Sequence, residues 1–271
     1  EVVNPVARIY YTHGSSSYTR INLMGFAQLA YKGFTLRTNL NEVILYNESR
    51  GYTPLYRLNS SNFTNDTGVS KSMNQHFYYN NDNTLTYINK IDVHNFSAMI
   101  GNSVRKGKGT DVSASKQGLL YDDPAYAYIA LAKKQGSDGA GGGAFRQAFV
   151  SYFGRVSYDF DSRYMMTATY RADGSYRFGP NNRFGYFPSV SAGWNVSNEK
   201  FMRDVRWLDM LKARVSWGQT GNDALDDWQY VSTISTWGKT YYFGDDEQYI
   251  GAAPGRTANP DLKWETSEQF N

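Results

Sequence analysis

The chain has 271 residues, 28 Lys and Arg against 25 Asp and Glu, a net charge of +3 and no Cys. So even a charge balance, with no long basic run, does not imply a nucleic-acid partner, and the absence of thiols excludes disulfide staples, thiolate chemistry and Cys-based metal sites. Aromatic residues reach 16% while mean hydropathy is −0.59, a pairing that suits strands with one apolar and one polar face, whether in a membrane barrel or a soluble, aromatic-rich sandwich.

The opening EVVNPVARIY lacks the basic and apolar regions of a secretion signal and has no initiator Met, so it reads as the start of a processed or partial chain. No run reaches the ~18 apolar residues of a membrane helix, which excludes helical spans only. Period-two alternation then predicts nine strands, at about 19–31, 33–46, 74–91, 93–106, 145–160, 162–177, 186–196, 209–219 and 261–271. In the fifth, Tyr152, Gly154, Val156 and Tyr158 share one face and Ser151, Arg155, Ser157 and Asp159 the other, with Phe153 the exception. Most strands exceed the ~5–6 residues of a globular strand and match the ~9–11 of a tilted membrane strand.

Connections alternate in length. Short ones fall at Tyr31–Gly33, Ile91–Val93 and Asp159–Ser162, and a helical turn is expected over Ser197–Asp209 with Asn198 as N-cap. Long polar ones cover 47–73, 107–144, 178–185 and 220–260. Outer-membrane barrels segregate loops in this way, with short periplasmic turns and long extracellular loops. Tyr158, Phe160, Tyr164, Trp194, Phe201 and Trp207 gather near the short-turn ends, as an interface girdle requires.

The stretch Ser151 to Tyr158, Arg163 to Thr169 and Arg171-Ala172-Asp173-Gly174-Ser175 resembles the barrel of SusC/RagA-type TonB-dependent transporters. So do Asn182 to Trp194, Ser197-Asn198-Glu199-Lys200-Phe201, Leu211 to Gly218, Thr220-Gly221-Asn222 and Asn259 to Glu265. The resemblance is tight over 148–271, looser over 1–106, and has no motif over 107–144. It implies an all-β fold, part of a large antiparallel transmembrane barrel of ~22 strands. Residues 1–271 would be one partial barrel domain, with the plug and remaining strands outside this sequence, in the bacterial outer membrane.

The resemblance further implies active import rather than enzymatic activity. Partners would be a SusD-like surface lipoprotein, the TonB–ExbB–ExbD motor, an oligosaccharide or peptide substrate, and outer-membrane lipid. No cofactor, metal or catalytic set is expected. Arg155, Arg171, Lys212 and Arg214 are expected to face the lumen, since each would cost ~2–4 kcal/mol against lipid near the midplane. In the last long loop, Trp228, Tyr230, Trp237, Tyr241 and Tyr242 are candidates for contact with substrate or lid, with Asp226, Asp227, Asp245, Asp246 and Glu247 beside them. The competing readings are a soluble carbohydrate-binding β-sandwich, whose apolar faces must meet in a core, and a barrel of this family used as a scaffold. Gly101 to Gly109 imitates a phosphate loop but has the wrong glycine spacing and no Ser/Thr after Lys108. His13, His76 and His94 lack ligand spacing, and Asp122-Asp123 reads as solvated loop charge.

Overall fold

The computed structural model describes residues 5–11, 13–202, 205, 207–235, 240–243 and 247–271. A short helix (Pro5–Tyr11) precedes β1 (His13–Tyr31) and β2 (Phe34–Thr53). A small hairpin of β3 (Tyr56–Arg57) and β4 (Phe63–Thr64) leads to β5 (Gly68–Ile91), β6 (His94–Gln117), β7 (Gly139–Phe160), β8 (Tyr164–Ser175), β9 (Phe184–Asn195) and β10 (Lys212–Asn222). Four short strands, β11 (Thr233–Ser235), β12 (Thr240–Phe243), β13 (Glu247–Ile250) and β14 (Ala253–Arg256), come before β15 (Glu265–Phe270). Among the described residues one nine-stranded sheet takes the order β1-β2-β5-β6-β7-β8-β9-β10-β15. Each long strand therefore pairs with its predecessor and successor, the up-and-down antiparallel pattern expected from the sequence.

Five strands run further than the side-chain pattern predicts. β1 begins at His13, β2 continues to Thr53, β5 begins at Gly68, β6 reaches Gln117 and β7 begins at Gly139. These extensions are polar or glycine-rich, so hydrophobic alternation is silent there, but strand pairing needs only backbone N–H and C=O groups. Gly139 and Gly141 lie against the side chains of Ser115 and Ser113, which leaves no space for a Cβ on Gly139.

The short connections are set by left-handed residues. Lys32 and Gly33 have φ of 45° and 85°, both positive, as a two-residue hairpin turn that follows strand twist requires. A Cβ on Gly33 would also stand 2.6 Å from the Ile88 carbonyl. In the three-residue connection between β7 and β8, Asp161 and Ser162 have φ of 53° and 54°, and the Asp159 carboxylate accepts from the Ser162 N–H at 3.1 Å. The expected helix after β9 is instead two single 3-10 turns, Val196–Asn198 and Lys200–Met202. Asn198 is not its N-cap. Asn195 precedes the first turn without a side-chain cap bond, while Asn198 Nδ2 donates to the Ser162 carbonyl at 3.0 Å. Tying two turns together displaces local capping.

By compactness the chain divides into two units. The first comprises Glu1–Gly25, Leu40–Asn80 and Lys106–Gln147. Its small core joins Tyr52, Val69, Ala127 and Ala132, with Leu119 and Ile129 packed against it. The connection after β6, for which the sequence offers no motif, folds over this core. The Leu119 N–H donates to Thr67 Oγ1 at 2.7 Å. Arg50 donates to the carbonyls of Ala127 (2.8 Å) and Pro124 (3.0 Å) and lies over the Tyr128 ring.

The second unit comprises Phe26–Asn39, Asn81–Arg105 and Ala148–Asn271. Its register separates two faces. On one, Val156, Ala168, Val190 and Trp217 lie in one cross-strand row, and Tyr158, Met166, Ala192 and Val215 in the next. On the other, Ser157, Thr167, Ser191 and Ser216 align, followed by Arg155, Thr169, Ser189 and Gly218. Among the described residues nothing covers the apolar face: Val190 is 50% and Val215 63% exposed. A sandwich would bury such residues, so the two-layer alternative fails.

Candidate functional site

Arg155, Arg171, Lys212 and Arg214 share the polar face of the second unit. Arg155 and Arg171 come from β7 and β8, Lys212 and Arg214 from β10, and the alternation of the paired strands puts them on the same side. Arg155 Nε donates to Thr169 Oγ1 at 3.4 Å. Arg171 donates through Nε to both Asp173 oxygens at 2.7 Å and through Nη2 to Ser151 at 3.0 Å. The Lys212 ammonium rests 3.2 Å from Met165 Sδ, and the Lys212 and Arg214 stems flank Gly193. Arg171 thus has a carboxylate partner, whereas Arg155 has a hydroxyl and Lys212 a thioether, so these two keep charge to present to a solute.

Sequence reasoning missed aromatic residues on this polar side. Phe153, the exception in its strand, lies over Gly101, where a Cβ would approach its ring to 2.6 Å, and the Arg171 guanidinium sits over the same ring. Phe187 covers Gly185 and Gly221 and meets Trp264 edge-on at 5.5 Å. In the first unit the Phe145 ring covers Gly109 and meets His76 edge-on. In each pair, a glycine on one strand lets a ring lie flat against the sheet. The available signal was a glycine at strand position across from an aromatic, visible only once register is known.

At the short-turn end, Phe160, Tyr164 and Trp194 share one row of the apolar face, and Tyr158 donates to or accepts from His94 Nδ1 at 2.8 Å. Phe201 and Trp207 follow in the connection, both exposed. Glu199 anchors this end. Its carboxylate accepts from the Tyr164 hydroxyl, Trp194 Nε1 at 3.0 Å and Arg163 Nη1 at 3.2 Å. Those hydroxyl and indole donors, with Arg163 beside them, hold the Glu199 carboxyl below the usual range.

At the long-loop end, the connection after β8 is pinned to the one after β10. Asp227 accepts from the Tyr176 hydroxyl and from Arg177 Nε at 3.2 Å, Asp223 accepts from Ser175 at 2.9 Å, and Phe178, fully buried, packs on Trp264. Burial and the Asp227 carboxylate both push the Tyr176 phenol up. Asp227 is therefore engaged in structure. Of the loop aromatics, Trp228 is 52% exposed and lies 6.2 Å from Tyr230, ring to ring. Trp237 and the side chains of Tyr241 and Tyr242 lie outside the described residues, as do Asp245 and Asp246.

The signals set aside in the sequence resolve as structure. Gly101 to Gly109 lies wholly within β6, so its amides pair in the sheet and form no phosphate cradle. Asp122 accepts from the Tyr52 hydroxyl and the Leu55 N–H, and Asp123 caps the 3-10 turn Pro124–Tyr126; neither is merely solvated loop charge. His76 pairs with Asp111 at 3.0 Å. Among the described residues no cluster of His, Asp and Glu could hold a metal ion.

No family model matches the chain. It is 32% identical over 200 residues to the TonB-dependent receptor SusC of Bacteroides thetaiotaomicron, covering 69% of this chain and 18% of that protein. It is 31% identical over 198 residues to the TonB-dependent receptor P3 of Formosa agariphila, again 18% of that protein, and 28% identical over 243 residues to receptor P39 of the same organism, 22% of it. The chain thus spans about a fifth of the curated relatives it matches. Among solved structures, the RagAB peptide transporter superposes with a TM-score of 0.84 at 25% identity, covering 97% of this chain and 28% of that one. The 'open-open' state of the RagAB peptide importer gives 0.85 at 26%. Shared residues over most of its length and a shared backbone over nearly all of it lead to one conclusion: the chain belongs to the SusC/RagA-type TonB-dependent transporters of the bacterial outer membrane, a family of transporters and not of enzymes, as a stretch of their antiparallel barrel.

Proposed function

We propose that residues 1–271 form one part of the wall of a barrel that imports large nutrients, oligosaccharides or peptides, across the outer membrane. The observation that carries this is the two-faced sheet, with an exposed apolar face and a polar face bearing Arg155, Arg171, Lys212 and Arg214; in this reading the first meets lipid and the second a water-filled lumen. In this reading a SusD-like lipoprotein captures substrate at the long-loop end, and the TonB–ExbB–ExbD motor supplies the energy. The exposed Trp228 beside Tyr230 offers ring faces to sugar or peptide groups at that end, together with Trp237, Tyr241 and Tyr242 of the same loop. The solved relatives described as a peptide transporter favour peptide over glycan.

The test is uptake by a strain lacking the full-length gene, complemented with the wild-type gene and supplied with labelled oligopeptides or oligosaccharides. Complementation should restore uptake of one class, and collapse of the proton-motive force should abolish it. A complemented strain that assembles the barrel but takes up neither class would support the scaffold alternative.

A further inference from the structure

The apolar face of the second unit is interrupted. Gly154 on β7 bears no side chain, and a groove of about 580 Å³ opens there between Leu85 and Ile100 on one side and Tyr152 and Tyr170 on the other. That is the size of a site for a single small ligand (~300–1,000 Å³). Among the described residues no charged one lines it. Its polarity changes along its length. Leu85 and Ile100 lie nearer the short turn between β5 and β6, whereas Asn83 and Asn102 lie two residues further along each strand, toward the long-loop end. Asn83 is held in place by neighbours: Thr38 Oγ1 donates to its Oδ1 at 2.6 Å, its Nδ2 donates to Asn81 Oδ1 at 2.7 Å, and Asn81 Nδ2 donates back to Thr38 at 3.2 Å.

We infer that this groove holds one acyl chain of an outer-leaflet membrane lipid, with its ester or amide end against the carboxamides of Asn83 and Asn102. A flat apolar face offers any lipid chain the same one-sided contact. A groove adds contacts on its flanks, and these sum into a preference. The amphiphile and the groove match in sense: the apolar end points to the bilayer interior, and the two amides lie toward the long-loop side, which in such barrels is extracellular. Uncharged amides suit lipid carbonyls rather than a phosphate or a carboxylate. The inference rests on the outer-membrane placement of the family and is independent of what is transported.

The test uses the full-length transporter in phosphatidylethanolamine vesicles containing a trace of phosphatidylethanolamine with a diazirine in its acyl chain. After photolysis, adducts are mapped by mass spectrometry. Ile100, Tyr152 and Tyr170 should be labelled about fivefold more than Met166, Val190 and Val215, which are comparably exposed on the same face. Gly154→Leu should remove that excess. A Cβ there meets only the Met99 carbonyl at 3.6 Å and Ile100 Cγ2 at 4.0 Å, ordinary contacts, so the strand accepts the side chain and the groove fills. Ala168→Leu, on the same face of the neighbouring strand, should leave the excess intact. Equal labelling across the face would overturn the groove while leaving the barrel placement standing. No labelling anywhere on the face would overturn the placement itself. Protein–protein adducts at Tyr152 and Tyr170, with protection from lipid, would assign the groove to a second copy and overturn the inference.

Discussion

Two side chains show how a polar and an apolar residue each anchor an end of the strands. Glu199 is 8% exposed and takes three donors, two from strands β8 and β9 and one, Arg163, from the turn before β8. Because its folded pKa is depressed, its contribution to stability is present above the ordinary carboxylate range and is lost as pH falls through the folded pKa. Glu199→Gln in the full-length barrel should lower the thermal midpoint at pH 7 and flatten its dependence on pH below ~4.3. A wild-type midpoint indifferent to acid would show that the carboxylate contributes nothing. At the other end Phe178 is fully buried against Trp264. Phe178→Ala leaves a cavity and should cost ~3–5 kcal/mol if the loop stays docked; faster proteolysis of the 176–183 connection would report its release.

At the scale of the strand, the decisive property is which face a residue occupies. Val190 and Ser189 are adjacent on β9 and point to opposite faces, Val190 beside Ala168 and Ser189 beside Thr169. Val190→Arg should cost ~2–4 kcal/mol in a lipid bilayer, whereas Ser189→Arg should stay near ~0.5 kcal/mol. Reversible unfolding from lipid vesicles measures both, and equal costs would undo the face assignment. The aromatic rows are consistent with a bilayer. Trp194 and Tyr186 lie eight residues apart on β9, ~26 Å along the strand and ~20 Å after tilt, against an apolar band of ~25 Å. Alternation made these faces legible without coordinates, and it also placed the three tight turns. It could not find the far ends of β1, β2, β5, β6 and β7, because the residues there are mostly polar or glycine and carry no hydrophobic alternation.

For the whole molecule, the proposed import assigns the cations on the polar face to transport more than to folding. Among the described residues Arg155 bonds a hydroxyl and Lys212 a thioether, so exchanging each for Gln should alter stability by no more than ~0.5 kcal/mol. Uptake of acidic substrates by the same double variant should fall relative to neutral ones. Matched losses for both kinds would remove charge selection from the lumen wall.

The sequence by itself determined the nine strands of the main sheet, their two-faced character, the alternation of short and long connections, and the family. Those properties are local, or repeat at a fixed spacing, so a single chain displays them. Only the tertiary structure decided which glycine receives which ring, that Glu199 and Asp227 are anchors, that Asn198 ties turns together instead of capping a helix, and that Gly154 opens a groove. Each depends on residues distant in sequence becoming neighbours through strand register, and register is a property of pairs of strands that no single segment encodes.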